Sequence, residues 1–368
     1  MVVPEIRVLA LLPYPVKRVG GQRYRIEQWA PRMRREGVSV TYSPFLQPSD
    51  LDVLWASGHI PAKARAVLSG YGRRLKDLGT VDRFDVAFVY REAGFLGTTW
   101  LEQLVARRCP IVYDFDDAIY LPATSGANRS FSFLKKPSKV DALCRLATAV
   151  TVGNEHLAGF ARRHSSHVHV VPTTIETDEY RLQARAANSR PVVAWTGSQT
   201  TVPYLERLGP ALRRLRQLCD FELLVIGART SIEGIDVRLL PWRAETEVLD
   251  LAPADVGLMP LTDDEWSRGK CGLKALQYMA LGIPPVVSPV GVNTRIVTHG
   301  VNGLHAASDD EWVEHVRQLL SDAELRRRLG KAARSAVDAH YSACVHAPRM
   351  AALFKDVVQL SRRLKPEA

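Results

Sequence analysis

The stretch Ser267–Gly303, SRGKCGLKALQYMALGIPPVVSPVGVNTRIVTHGVNG, decides how the rest of the chain is read. Leu273, Leu276, Gln277, Met279, Ala280 and Leu281 recur at helical spacing, and Gly282 stands where a C-cap glycine belongs. Pro284 to Val290 is a short apolar run of strand length, so the stretch reads as helix, tight turn and buried strand. Lys270 and Lys274 lie four apart and are expected on one face at the start of that helix. First-turn amides have no intrahelical partner, so a helix start carrying two cations is a place for an anion, most naturally a phosphate.

Outward from that stretch, 368 residues are comfortable for two domains of about 150 to 200 residues each. No apolar run approaches the roughly 18 to 20 residues that a membrane span requires, and MVVPEIRVLALLP runs straight into a strand-like pattern. The expectation is a cytoplasmic protein, neither secreted nor membrane-spanning. Cys109, Cys144, Cys219, Cys271 and Cys344 are scattered and form no C-x-x-C pair, which argues for a reducing compartment and against structural zinc. The net charge of +10 is uneven: residues 1 to 185 hold 26 Lys+Arg against 18 Asp+Glu. A basic half attracts phosphates, nucleic acid or anionic lipid headgroups, although such charge also serves plain solubility.

The chain alternates strand and helix in two runs. Glu5–Pro13, Val38–Phe45, Asp85–Tyr90, Ile111–Phe115, Ala149–Gly153 and Val168–Pro172 read as strands of a first doubly wound α/β domain. The first crossing carries Gly20 and Gly21, which let backbone approach a ligand closely, followed by Arg23 and Arg25 and an amphipathic helix to Gly37. Arg181–Pro191 is polar and helix-breaking, the best linker candidate. Alternation restarts at Val192–Trp195, where Thr196–Thr200 forms a tight loop of small residues. The helix Val202–Leu218 and the strand Phe221–Ile226, closed by Gly227, come next. Free amides and hydroxyls in such a loop make a phosphate nest.

The fourth strand ends in Asp114, Phe115, Asp116 and Asp117, and two readings of that cluster stand open. The Asp-x-Asp pair would suit a divalent metal held against a diphosphate. Alternatively Asp116, with Asp117 beside it, is a site residue at a strand end, or the aspartates cap a turn and pair with arginines such as Arg91. Leu121–Lys139, with Phe131, Phe133, Lys135, Lys136 and Lys139, has the composition of a mobile loop able to dock on anionic lipid.

The helix KALQYMALG, the strand PPVVSPVG and the turn HGVNGL together resemble the nucleotide-sugar-binding segment of GT-B glycosyltransferases of the family 4 type. VTVGNEHL with VHVVP, and ADVGLMPL, resemble further parts of that family. The resemblance implies an α/β protein of two doubly wound Rossmann-like domains facing across a cleft, with a C-terminal helix crossing back to the first. Its domains would be residues 1–182, a linker at 183–191, residues 192–340, and the crossover helix at 341–368. Carried over residue by residue, Gly197, Ser198, Thr200, Gly227, Arg268, Lys270, Lys274 and Gln277 would meet the donor. Gly20, Gly21 and Arg23 would serve the acceptor, and Asp116 and Asp117 would be catalytic. The family often carries two glutamates eight apart where this chain has Gly269 and Gln277.

The function implied is transfer of a sugar from a nucleotide-diphosphate donor to a hydroxyl of a glycan, lipid-linked or small-molecule acceptor in bacterial polysaccharide or glycoconjugate synthesis. It would be retaining and metal-independent, with no cofactor besides the donor itself. An anionic membrane surface is a candidate partner, through the basic N-terminal half, and would place the protein peripherally on the inner face of the cell membrane. A nucleotide-sugar epimerase of the same fold is the alternative, although the donor segment offers only His299 and His305. A nucleic-acid-binding protein is a remote third, because no aromatic-basic, recognition-helix or zinc signature accompanies the charge. No G-x-G-x-x-G follows either opening strand, against a Rossmann oxidoreductase.

Overall fold

The computed structural model describes residues 5–55, 58–122, 136–181 and 189–364. They form two compact units: residues 1–172 with 346–368, and residues 173–345. The first unit is built on a six-stranded parallel sheet of β1 (Ile6–Leu12), β2 (Val38–Pro44), β3 (Val86–Tyr90), β4 (Ile111–Phe115), β5 (Ala149–Val152) and β6 (Val168–Val170). The second has β7 (Val192–Thr196), β8 (Glu222–Ile226), β9 (Val237–Leu240), β10 (Val256–Met259), β11 (Pro285–Val287) and β12 (Leu304–His305), again all parallel. Every residue of β3, β4, β5, β7, β10 and β11 is buried, the continuous apolar signature of strands covered on both faces by helices. Two doubly wound Rossmann-like units are the architecture expected from the alternation.

Strand order locates where each unit presents a ligand site. The first sheet runs β2-β1-β3-β4-β5-β6 and reverses between β1 and β3; the second runs β12-β11-β10-β7-β8-β9 and reverses between β7 and β10. Ligands of doubly wound sheets lie beyond the carboxyl ends of the strands at such a reversal. In the first unit this is where the Gly20–Gly21 segment leaves β1 and Arg91 leaves β3. In the second it is where the Gly197 loop leaves β7.

Helix boundaries follow local chemistry, and several differ from the sequence reading. The segment after Gly21 is not one helix: a helical turn at Gly20–Gln22 runs into a π turn at Arg23–Glu27, and a separate helix spans Ala30–Arg35. The Gly20–Gly21 pair therefore opens a helical turn instead of lying in a loop. Val202–Leu218 splits into Val202–Glu206 and Gly209–Leu218, because Gly209 and Pro210 cannot carry a helix through and Pro210 instead opens the second one. Ser308 and Glu311 form a capping box at the start of Asp309–Ser321, and Asp322 caps Ala323–His340.

The second unit begins at Thr173, ahead of the segment 183–191 read as linker, whose residues 183–188 lie outside those described. Local pairing explains the placement. Ile175 and Ser342 form a backbone bridge, and the Arg334 guanidinium donates to the carbonyls of Thr177 and Ala280, the latter at 2.7 Å, and to that of Tyr180. The last helix, Ala343–Leu364, belongs to the first unit from His346 onward, where Phe354 packs edge-on against Phe88 of β3.

Candidate functional site

In the second unit the end of β7 is shaped around one indole. Trp195 is 1% exposed, and its ring fills the space beside Gly197, where any Cβ would collide with it and with Thr201 Oγ1. Gly227, at φ +89, presses against the Gly197 carbonyl from the neighbouring strand end, so both glycines serve close backbone approach. The Gly197 amide donates to Ile226 O at 2.9 Å and the Ser198 amide to Thr201 Oγ1 at 3.2 Å. Neither amide is the free donor that the nest reading expected. The loop instead offers an exposed edge with the Ser198 and Thr200 hydroxyls, 2.8 Å apart.

The same indole carries Lys274, whose Nζ lies 5.4 Å from a Trp195 ring centroid, while Lys270 Nζ lies 4.7 Å from that of Trp266. The expectation that the two lysines share one helical face is corrected. Gly272 takes a left-handed φ of +73 and the helix starts only at Leu273, so Lys270 belongs to the preceding loop. Two further contacts hold that loop near β7. The Ser267 hydroxyl donates to Tyr204 OH at 3.1 Å, tying it to the helix that follows the Gly197 loop, and Gly291 packs against the Arg268 backbone. Helix Leu273–Ala280 is itself docked by Tyr278. Its hydroxyl accepts the Thr196 amide at 3.0 Å and its ring lies flat on Gly257 of β10. Burial lifts the Tyr278 phenol far above its ordinary range, so the bridge stays neutral.

Gln277 has a different setting from the one read for it. It is 3% exposed and its Nε2 donates to Glu247 Oε1 at 2.7 Å and to Tyr180 OH at 3.1 Å. Trp242 Nε1 and Tyr180 OH also donate to Glu247, at 2.8 and 3.0 Å. The amide thus secures a buried carboxylate behind the helix, a position where a glutamate would set two carboxylates together. Arg268 is 46% exposed at its side chain and held by Asp263 at 2.7 Å and Glu265 at 3.5 Å, a surface arrangement.

In the first unit the ends of β3 and β4 form a compact charged clamp. Asp116 Oδ1 accepts from Tyr90 OH at 2.8 Å and from Arg91 Nε and Nη2 at 3.1 and 2.7 Å. Burial raises the Asp116 carboxyl, but Arg91, Arg25 and the Tyr90 hydroxyl outweigh it and leave it below the ordinary carboxylate range. Arg91 sits at φ +59 between Tyr90 O and Glu92 N, which are hydrogen-bonded at 2.7 Å, a strained turn of the kind that clusters at functional sites. Gly21 faces this clamp: a Cβ there would meet Tyr90 OH, then Asp116 Oδ2 at 3.3 Å and Arg91 Nη2 at 3.5 Å. Gly20 meets only Tyr24 at 3.8 Å. Asp117 is 3.9 Å from Arg91 and accepts the adjacent Ala118 amide.

Three expectations for this unit are corrected. Arg25 is buried and forks onto Asp114, Nη2 to Oδ1 at 2.5 Å and Nε to Oδ2 at 3.0 Å, with Thr151 Oγ1 also donating to Asp114. Asp114 and Asp116 are each neutralised by an arginine, so the Asp-x-Asp metal reading does not fit these side chains; among the described residues no group of three His, Cys, Asp or Glu is arranged for a metal. Arg23, read as an acceptor-side residue, is 8% exposed with its guanidinium over the Tyr24 ring. Lys139, read as a lipid-facing loop residue, is 6% exposed, and its Nζ reaches the Gly94 and Leu96 carbonyls and Glu102. Phe131, Phe133 and Lys135 lie outside the described residues.

Sequence reasoning missed Trp195, Trp266 and Glu247 as site-building residues, whereas the pairing of the aspartates with Arg91 that it allowed for is present between Arg91 and Asp116. A tryptophan ending a strand just before Gly-Ser was the available signal. Glu247 offered none, since its partners are distant in sequence.

Residues 190–322 match the model of the family described as Glycosyl transferases group 1. A D-inositol 3-phosphate glycosyltransferase of Pseudarthrobacter chlorophenolicus is 30% identical over 147 residues, 35% of this chain. The match spans about a third (33%) of that relative. Among solved structures, sucrose-phosphate synthase from Thermosynechococcus elongatus superposes with a TM-score of 0.71 at 16% identity, covering 97% of this chain and 100% of that one. The Anabaena protein Alr3699/HepE, in complex with UDP and glucose, superposes with a TM-score of 0.65 at 15% identity, covering 96% and 100%. At these identities the structures establish the fold.

Proposed function

We propose that this chain, whose second unit carries a group 1 glycosyl transferase domain on a GT-B fold, moves a sugar from a nucleotide-diphosphate donor to an acceptor hydroxyl. The observation that carries the reading is Lys274, resting over Trp195 beside the Gly197 loop at the sheet reversal of the second unit, with Lys270 over Trp266 in the loop that precedes the same helix. A cation–π contact fixes the position of an ammonium group, and ammonium groups fixed in this way can meet a diphosphate. As the bond from the anomeric carbon to the diphosphate oxygen breaks, negative charge grows on that oxygen, and fixed cations there lower the barrier. In this reading a hydroxyl of the Ser198–Thr200 pair, exposed on the Gly197 loop, donates to the same group. Gln277 supports this helix from behind, and Arg268 lies at the rim.

On the acceptor side the residues are Gly21, Asp116 and Asp117. A carboxylate held below its ordinary range is a poor proton acceptor at neutral pH, so Asp116 orients the acceptor hydroxyl. The hydroxyl proton passes to the departing phosphate oxygen while the hydroxyl oxygen bonds the anomeric carbon from the same face, a retaining transfer that needs no metal. The acceptor is a glycan or a lipid-linked or small hydroxyl compound of polysaccharide or glycoconjugate synthesis. The Alr3699/HepE structures contain UDP and UDP-glucose, which makes a uridine diphosphate sugar the first donor to try. An epimerase gains no support from its histidines: the His305 amide donates to His299 Nδ1 at 3.0 Å and His305 Nε2 lies 2.7 Å from Val297 O, both holding their own turn.

The test is incubation with UDP-, GDP- and ADP-sugars, following nucleotide release and reading the anomeric configuration of product by NMR. Release of one nucleotide with retained configuration is expected. Interconversion of the donor sugar without release would establish the epimerase instead, and no nucleotide-dependent change in thermal stability with any donor would defeat both.

A further inference from the structure

Large apolar side chains on the surface of the first unit are not scattered. The exposed ones among its described residues are Ile60, Leu68, Leu75, Trp100 and Leu104, and all lie on two adjacent helices, Ile60–Leu78 and Trp100–Ala106. Leu68 and Leu75 are 72% and 56% exposed. The helices are joined by Tyr71 stacked on Trp100, centroids 6.0 Å apart at 17°, and by Arg108 Nη1 donating to Leu78 O at 2.7 Å. At helical spacing Ile60, Ala64, Leu68, Tyr71 and Leu75 share one sector of about 100°. Arg65 and Lys76 fall in the next sector.

The charges of this face are one-sided. Arg65, Lys76 and Arg107 are exposed, and among the described residues no carboxylate pairs with any of them. The sole acid of the longer helix, Asp77, is half-buried against Arg74 and Ser43, and that of the shorter, Glu102, is 1% exposed beside Lys139. An apolar stripe bordered by unpaired cations, with its acids turned inward, matches the headgroup boundary of an anionic bilayer, apolar residues entering the acyl edge and cations meeting phosphates. No helix of the described residues is long and apolar enough to cross a membrane, so contact would be in-plane.

We propose that this two-helix face docks the protein on anionic lipid. It relocates the lipid contact expected from Leu121–Lys139 to the helices Ile60–Leu78 and Trp100–Ala106. The inference does not depend on the transferase reading, because vesicle binding is measured without donor or acceptor.

The experiment is co-sedimentation of the full chain with vesicles of phosphatidylcholine alone and of phosphatidylcholine mixed with phosphatidylglycerol. Binding to the mixed vesicles only, weakened by added salt, is expected. Leu68→Ser with Leu75→Ser removes two exposed side chains, leaves the core untouched and should raise the lipid concentration for half-binding about tenfold or more. Arg65→Glu with Lys76→Glu should do the same without altering apolar area, which guards against a folding artefact in the first pair. Absence of binding to the mixed vesicles, or binding by either variant pair as tight as that of the wild type, overturns the proposal. So does a wild-type dimer in sedimentation velocity that the leucine variant converts to monomer, since the face would then cover a second copy of the chain. UDP-induced thermal shift, measured on the same samples, reports on the transferase reading separately.

Discussion

The two units meet the same topological demand with opposite electrostatics. At the β1/β3 reversal of the first, each charge is matched inside the protein: Arg91 with Asp116, Arg25 with Asp114. At the β7/β10 reversal of the second, the cations Lys270 and Lys274 rest on indoles. A matched pair builds a rigid, already satisfied wall that selects by shape and by a fixed acceptor. An ammonium resting on an indole is held in a defined position by the ring. On the proposed function, the difference goes with a charged donor at the second unit and a neutral acceptor at the first.

The largest breach of that contrast is removal of the cations. Lys270→Ala with Lys274→Ala should lower affinity for a nucleoside diphosphate at least about a hundredfold by calorimetry, because hydrogen bonds to charged groups contribute about 1.5–3 kcal/mol each. Affinity for the unphosphorylated nucleoside should hardly change. Equal loss for both ligands would mean that the lysines support the fold and not the diphosphate.

Next comes the support behind the helix. Gln277→Glu puts a carboxylate where an amide now donates to Glu247 at 2.7 Å, in a site where both groups are almost fully buried. Two adjacent buried carboxylates should cost about 3 kcal/mol, a fall in Tm of several degrees for a domain of this size. Glu247→Gln combined with Gln277→Glu exchanges the partners and should recover most of the loss in a thermal melt. Failure of the double variant to recover would show that Trp242 and Tyr180, not the amide, decide the fate of Glu247.

These two sites also show how far the sequence could be read. The fully buried strands β3, β4, β5, β7, β10 and β11 were visible because strands covered on both faces are continuous apolar runs, and the Gly282 turn because a left-handed C-cap wants glycine. Lys270 was legible as a cation but misplaced, since one left-handed glycine, Gly272, decides whether residues four apart share a helix. The Gln277 network was not legible: Glu247 is 30 residues away and Tyr180 is 97, and no local pattern encodes such a pairing. Arg91 was read only as a partner for the aspartates. Its positive φ, which aims the guanidinium at Asp116, is a backbone property that arginine does not announce.

A smaller effect is expected in the first unit, where the comparison can be sharpened by pH. The folded pKa of Asp116 lies below its ordinary value, so its ionisation stabilises the fold above the unfolded value of 3.8. That contribution is lost as pH falls through the folded value. Asp116→Asn should therefore unfold more easily than wild type near neutral pH by about 1–2 kcal/mol, and the gap should close below about pH 4. Chemical denaturation at neutral and acid pH measures it. A gap that persists into acid would mean that the hydrogen-bond geometry, not the charge, is what Arg91 and Tyr90 hold.

The smallest effect should be that of Arg268, and it decides whether the contrast between matched and indole-supported charges is a rule or a coincidence. Arg268 lies next to Lys270 in sequence and would be grouped with it on charge alone. Its guanidinium, however, is already engaged by Asp263 at 2.7 and 3.2 Å and approaches Glu265 at 3.5 Å, with side-chain exposures of 46% and 61%. Exposed pairs of this kind contribute about 0–1 kcal/mol, and the neighbouring carboxylates cancel the field that a diphosphate would feel. Arg268→Ala should change nucleoside diphosphate affinity by less than about threefold. A loss of tenfold or more would mean that Arg268 leaves Asp263 for the ligand, and that internal neutralisation does not mark a charge as structural in this fold.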